Sequence, residues 1–170
     1  MRRVRLSVAM SLDGYIAGPN GEYDWIPMDP DIDFGELMGS FDTMLMGRKS
    51  YEASLEHGGP GMHGMSVYVF SWTLRQEDCP GVTVSDEPRS TLTALRAMPG
   101  KDIWLYGGGE LFRSLMAEGL VDGVEIAIVP VLLGGGLPLY PHPASQAKLK
   151  LTSHRVYPKT GIVLLEYATV

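Results

Sequence analysis

Three stretches of this chain carry residue types that could hold a phosphate-bearing ligand. The first is Gly107-Gly108-Gly109, which follows the apolar run Ile103-Trp-Leu-Tyr106 and opens a helical pattern at once. Glycines let a ligand approach the backbone closely. A helix start turns free N–H groups and the positive end of its dipole toward whatever sits there. Such a junction suits an anion, best a pyrophosphate. The second is Leu45-Met46-Gly47-Arg48-Lys49-Ser50-Tyr51-Glu52, where a strand ends in glycine, two cations follow and Ser50 can cap the next helix. The third is Val69-Phe70-Ser71-Trp72-Thr73, where a strand opens into two hydroxyls and an aromatic ring.

Each stretch also has a plain structural reading: a tight corner, a solvated helix start, a strand end. The triple glycine does not fit G-x-G-x-x-G, because Phe112 stands where the last glycine belongs, and the chain has no Gly-Lys-Ser/Thr triplet. Joint occurrence at strand ends favours a ligand. If the strands are neighbours, two helix starts, Arg48, Lys49, Ser71 and Thr73 surround a dinucleotide. Arg48-Lys49 is a positive island in a chain of net charge -6. It suggests an extra phosphate, and so NADP over NAD.

The elements that must position these junctions follow from hydrophobic period and turn residues. Strands are expected at Val4–Met10, Thr43–Met46, Val67–Phe70, Val82–Val84, Ile103–Tyr106, Val124–Leu132, Leu149–Tyr157 and Ile162–Ala168. Helices are expected at Asp31–Phe41, Ser50–Leu55, Thr91–Met98 and Gly109–Gly119, and Gly58-Gly59-Pro60-Gly61 reads as a loop. Pro158-Lys159-Thr160-Gly161 is a hairpin signal. Strands and helices alternate first, and strands alone follow. That order predicts an α/β fold: a mostly parallel central sheet, helices on both faces and an antiparallel C-terminal edge. In such sheets ligands sit beyond the carboxyl ends of the strands.

The bulk composition narrows the function classes. A chain of 170 residues, 45% hydrophobic and 20% charged, suits one soluble domain. The acidic balance argues against a nucleic-acid partner. No apolar stretch is long enough to span a membrane, and the basic-then-apolar start reads as a first strand. Cys79 is the sole cysteine, so no internal disulfide forms and a cytoplasmic location fits. His57, His63, His142 and His154 show no ligand spacing, so no metal is expected.

Several of these motifs carry a family likeness. Met46-Gly47-Arg48-Lys49-Ser50-Tyr51-Glu52 resembles the Gly-Arg-x-Thr/Ser-aromatic-Glu signature of dihydrofolate reductases. Ser11-Leu-Asp-Gly-Tyr-Ile-Ala17 resembles the opening of the riboflavin-biosynthesis reductase domain, the C-terminal domain of RibD proteins. Leu105-Tyr-Gly-Gly-Gly-Glu-Leu111, Gly119-Leu-Val-Asp122 and Pro130-Val-Leu-Leu-Gly-Gly-Gly136 look like the same group. The likeness runs from Val4 to Tyr167 and implies a single dihydrofolate reductase-like domain over residues 1–170, binding NADPH. It implies that Gly47, Arg48, Lys49 and Ser50 hold the pyrophosphate and 2′-phosphate region. Ser71, Trp72 and Thr73 would line the adenosine side. Gly107, Gly108, Gly109, Glu110 and Leu111 would cradle the pyrophosphate, with the Glu110 side chain turned away. The backbone around Ala9, with Ile16, would face the nicotinamide. The group often reads Ser-Arg-Thr where this chain has Ser71-Trp72-Thr73, which weakens the expected 2′-phosphate selectivity.

The substrate side is less determined. Aligned back from Gly47-Arg48, Asp31 falls where dihydrofolate reductases place their buried acid, and near Trp25 it could have a raised pKa. The other reading is that Asp31 caps the helix beginning there. Asp13 either closes an Asx-turn or contacts substrate. Trp25 is a core aromatic or a wall of the substrate pocket. Tyr106 reaches the nicotinamide or substrate, or is structural. The function this implies is NADPH-dependent hydride transfer to a small heterocycle, pterin-like or a ribosylaminopyrimidine. The alternative is a dinucleotide-binding sensor without catalysis. The likeness also implies a homodimer, with Val124–Leu132 and its Gly/Pro-rich extension as the contact.

Overall fold

The computed structural model describes residues 1–60 and 64–170; Gly61 of the expected loop and His63 lie outside the described residues. In chain order the elements are β1 (Val4–Ser11), β2 (Tyr15–Ala17), α1 (Phe34–Gly39), β3 (Phe41–Gly47), α2 (Arg48–Leu55), β4 (Ser66–Phe70), β5 (Thr83–Ser85), α3 (Pro88–Ala97), β6 (Asp102–Gly107), α4 (Gly109–Ala117), β7 (Gly123–Val129), β8 (Leu137–Pro138), β9 (Leu149–Tyr157) and β10 (Ile162–Thr169). Eight strands form one sheet in the order β5-β4-β3-β6-β1-β7-β10-β9. Pairing is parallel from β5 through β7; β10 and β9 then add antiparallel. The expected parallel sheet with an antiparallel C-terminal edge is the observed one.

Alternation along each strand builds the layers. On β1, Val4 and Leu6 join Leu92, Leu95, Phe112 and Leu115 in a core under α3 and α4. On the other face Met44, Met46, Val67, Val69 and Trp104 pack with Tyr51 of α2 and with Leu37 and Met38 of α1. A third, smaller cluster of Val129, Tyr157 and Ile162 receives Trp25, Ile26 and Ile32. Asp122 sets the start of β1: its carboxylate accepts the Val4 N–H at 2.7 Å and a bond from Arg96 at 2.7 Å.

Three expected elements differ by three residues at one end. The helix placed at Thr91–Met98 spans Pro88–Ala97, with Pro88 at its start. The helix placed at Asp31–Phe41 is only Phe34–Gly39, and its cap is Asp33, whose Oδ1 accepts the Glu36 N–H at 2.8 Å. Asp31 is excluded from capping because the preceding segment is a turn: Asp29 Oδ1 accepts the Asp31 N–H at 2.9 Å. Phe41 is 3% exposed and opens β3 instead of closing the helix. The strand placed at Val124–Leu132 stops at Val129, next to Pro130, which has no N–H to donate. Both edges of β7 are taken, by β1 and β10, so it offers no free edge to a second chain. The free edges of the sheet are β5 and the nine-residue β9.

Candidate functional site

The parallel register gathers the three junctions. Gly47 pairs opposite Phe70 and Met46 opposite Gly107, so β3, β4 and β6 release their chains side by side at one edge of the sheet. Gly47 and Gly108 are the N-caps of α2 and α4, both in extended backbone and neither with a side-chain cap. The first N–H groups of two helices are thus left to a ligand or to water. The starts sit close together: Ser50 Oγ lies 3.6 Å from where a Cβ on Gly108 would stand, and Leu111 Cβ lies 3.9 Å from the same point on Gly47. Ser50, expected as the cap, lies inside the first turn of α2 instead.

The three glycines divide by role. Gly107 has φ +137°, in the region that favours glycine, and a Cβ there would meet nothing within 4 Å. The Gly107–Gly108 peptide is cis. Gly109 is different: a Cβ would run into the carbonyl oxygen of Pro138 and lie 2.9 Å from that of Leu139. Gly107 and Gly108 leave the backbone open to a ligand, whereas Gly109 makes room for β8.

Charge sits around this edge. Arg48 Nη1 donates to both carboxylate oxygens of Glu52 at 3.1 and 3.0 Å, on an exposed helix face. Lys49 Nζ lies 3.8 Å from Glu110, so Glu110 turns toward the Lys49 side chain, bridging the two helix starts. Ser71 is buried and its Oγ accepts the N–H groups of Thr73 and Leu74 at 3.2 and 3.1 Å, which closes a turn. Trp72 is 84% exposed at this edge, free to stack. Arg75, three residues after Trp72, is ion-paired with Glu77.

The residues expected on the substrate side separate. Asp13 ties loops together: Ser11 Oγ donates to it at 2.7 Å, and Leu133 and Gly134 donate their N–H groups at 3.1 and 2.8 Å. The Ser11 hydroxyl, followed by those amides, holds the Asp13 carboxyl below the usual carboxylate range. Gly136 belongs to the same clamp, since a Cβ there would strike the Ala17 carbonyl. Ile16 lies in β2, half-buried, beside this clamp. Tyr106 is partly exposed, edge-on to Trp104 at 5.3 Å; burial pushes its phenol up, and Tyr23 adds to this. Trp25 donates its Nε1–H to the Glu22 carbonyl at 3.0 Å and packs on the Val129–Tyr157–Ile162 cluster.

Asp31 is not the half-buried acid that the alignment suggested. Its carboxylate is exposed and paired with Lys159 at 2.9 Å, and it does not line the cavity beside α1. The buried carboxylate of that segment is Asp29, 2% exposed, which accepts a bond from Thr160 Oγ1 at 2.5 Å. That hydroxyl is the main cause holding Asp29 below the usual carboxylate range. The spacing in the sequence carries Asp31 to the right stretch, but the turn faces it outward.

A cavity of about 610 Å³ opens between the α1 segment and the sheet face of β1, β7 and β10. Ala9 lines it, as do Ile26 and Ile32 from the stretch that carries Trp25. Its polar end is formed by Arg5, Ser7 and Glu125. Arg5 Nη2 and Ser7 Oγ donate to Glu125 at 2.9 and 3.1 Å, and Arg5 Nη1 to Asp102 at 3.2 Å. Among the described residues, no group of three or more His, Cys, Asp and Glu side chains is placed to hold a metal ion, and no helix is long and apolar enough to cross a membrane.

The RibD C-terminal domain family matches residues 2–163 of this chain. The chain belongs to that family. It is similar to the uncharacterized protein YyaP of Bacillus subtilis, with 36% identity over 98% of this chain and 94% of that protein. A Shewanella sp. PV-4 crystal structure, provisionally named a riboflavin biosynthesis protein, superposes with TM-score 0.83 at 26% identity, covering 100% of this chain and 99% of that one. Dihydrofolate reductase from Enterococcus faecalis, in complex with NADP(H), shares the fold at TM-score 0.70 and 16% identity, over 98% of this chain and 96% of that one. The fold is therefore the α/β three-layer arrangement of dihydrofolate reductase.

What sequence reasoning missed in this RibD C-terminal domain chain is the polar end of the cavity. Arg5, Ser7 and Glu125 sit inside otherwise apolar strands, Val4-Arg-Leu-Ser-Val8 and Val124-Glu-Ile126. A charged residue on a strand buried on both faces was the available signal.

Proposed function

We propose that this protein is an NADPH-dependent reductase that directs a hydride to a small heterocycle, pterin-like or a ribosylaminopyrimidine. The observation that carries the reading is the pair of uncapped helix starts at Gly47 and Gly108, side by side with the open Gly107. Two sets of free N–H groups facing one space suit the two charges of a pyrophosphate. The dihydrofolate reductase of Enterococcus faecalis shares this fold and holds NADP(H). The residues present fit that cofactor. The N–H groups at the starts of α2 and α4 would take the pyrophosphate, and Ser50 adds a hydroxyl between them. Arg48 and Lys49 supply positive charge for a 2′-phosphate, and Trp72 offers its face to adenine.

When bound, the nicotinamide supplies the hydride. The chain's own part is to bind, orient and exclude water. Ala9 on the cavity floor and Ile16 in β2 fit the nicotinamide end, and the Asp13 clamp fixes the loops beyond the ends of β1 and β7. Exposure of Asp31 favours a second reading, a dinucleotide sensor without turnover, since it removes one acid from the cavity. The lone, buried Cys79 fits a cytoplasmic protein. A homodimer would use the exposed edge β9, which carries Leu149, Leu151 and Val156.

The test is titration with NADPH and NADH, followed by the fluorescence of Trp25, Trp72 and Trp104. Saturable quenching by NADPH, weaker with NADH, is expected, together with oxidation of NADPH when an acceptor heterocycle is supplied. Binding without oxidation across pterins and aminopyrimidines would favour the sensor. No binding of either nucleotide would refute both.

A further inference from the structure

The cavity has a chemistry of its own. Its floor is flat and small: Ala9 and Ala127 are register partners on β1 and β7, and Ser7 and Glu125 are the partners two residues earlier. Ile26, Ile32 and Leu164 form apolar walls. A volume of about 610 Å³ falls in the range of small-molecule sites. A planar ring lying on the two alanines would direct one edge at Glu125.

That edge meets an excess of acceptors. Glu125 pairs directly across β7 and β10 with Glu166, and both line the cavity. Like charges facing one another across two strands destabilise the sheet. Only Glu125 is compensated, by Arg5 and Ser7. Among the described residues, no cation lies within ion-pair distance of Glu166, and its carboxylate makes no hydrogen bond. Of the two cations that line the cavity, Arg5 has both Nη atoms engaged, by Asp102 and Glu125. Arg155 lies over the Tyr157 ring at 4.8 Å. Around the whole cavity Asp33, Glu36, Glu125 and Glu166 face two cations, Arg5 and Arg155. The N-terminus of α1, the helix beside the cavity, is already capped by Asp33.

We infer that Glu125 and Glu166 form the recognition end of the substrate pocket, and that it takes the amino or amidine N–H edge of a planar heterocycle without a phosphate group. The inference rests on the reductase reading and narrows it to heterocycles without a phosphate group, the pterin-like class among them. A carboxylate has about four acceptor positions, and Glu125 uses two of them. A phosphate would add negative charge to a wall already rich in it. A donor edge would instead relieve the Glu125–Glu166 repulsion.

The experiment uses 2,4-diaminopyrimidine as probe, titrated by calorimetry into the NADPH-loaded protein, with uridine 5′-monophosphate as the phosphorylated competitor. Glu125→Gln and Glu166→Gln are each expected to weaken the probe about tenfold, the scale of one charge-assisted hydrogen bond. Uridine 5′-monophosphate is expected not to displace it. Glu125→Gln disturbs Arg5 as well, so Glu166→Gln is the cleaner variant. Relief of the like-charge pair should also raise its Tm by about 1–2 °C while binding falls. Stability and affinity moving in opposite directions is the sign of a residue kept for binding. An unchanged probe affinity in both variants, or displacement by the phosphorylated competitor, would overturn the inference while leaving NADPH binding intact. Failure of NADPH itself to bind, with the probe still Glu166-dependent, would instead refute the reductase reading and retain the pocket.

Discussion

The two halves of the candidate site are built from different materials. At the ends of β3, β4 and β6 the ligand surface is mainly backbone: uncapped N–H groups of α2 and α4, an open Gly107, and exposed Arg48 and Lys49 around them. Under α1 the surface is side chain: two alanines, Ser7, and the Glu125–Glu166 pair. The first half suits an anion whatever the rest of the ligand looks like. The second suits donors and resists anions. On the proposed function, the backbone-built half can stay constant while the carboxylate-rich pocket changes with substrate.

The largest expected effect comes from disturbing the contact between β8 and the start of α4. Gly109→Ala places a methyl against the carbonyls of Pro138 and Leu139. Overpacking of this kind costs about 1–3 kcal/mol. Thermal unfolding should show a fall of several degrees, accompanied by loss of NADPH affinity. Retention of both would mean that β8 does not press on the start of α4.

Next comes the charge at α2. Arg48→Ala should weaken NADPH about tenfold, the scale of a bidentate phosphate contact, and NADH much less. Equal loss for both nucleotides in parallel titrations would remove Arg48 from the 2′-phosphate.

Smaller still is the acid response of the loop clamp. Bonds from Ser11 and from the Leu133 and Gly134 amides lower the Asp13 pKa below its ordinary 3.8. A lowered carboxylate pKa gives stabilisation that is complete above the unfolded value and lost as pH falls through the folded one. Amide exchange at Gly134 should therefore be slow at neutral pH and quicken, relative to the intrinsic rate, only at pH below about 4. Asp13→Asn should remove that pH step. A step that survives in the variant would assign it to another group.

The smallest effect is expected at Asp31. Its pair with Lys159 is exposed, and such pairs contribute about 0–1 kcal/mol. Asp31→Asn should leave NADPH oxidation within about twofold of the original, consistent with so small a contribution. A loss of a hundredfold or more would return Asp31 to the chemistry.

The same division decides what could be read from the sequence. The clustering of the three junctions was legible because glycine after an apolar strand has a local meaning, and Gly47, Ser71 and Gly107 needed only a parallel sheet to bring them together. The division of labour among the three glycines was not, because Gly109 answers to Pro138, 29 positions away. Asp31 misled because sequence spacing ignores which way a turn faces; the Asp29 carboxylate and the Asp33 cap fix that direction. The Glu125–Glu166 pair depends on the register between β7 and β10, 41 residues apart in the chain, and no local pattern encodes it. Backbone-built sites leave marks in short motifs, and sites built from cross-strand side chains leave few.

On the proposed function, the starts of α2 and α4 jointly hold the phosphates of a dinucleotide. Amide chemical shifts during NADPH titration test it most directly. The largest changes are expected at Arg48, Lys49, Gly109 and Glu110 together, with one shared binding constant. Changes confined to one helix start, or none at either while NADPH binds elsewhere, would contradict it.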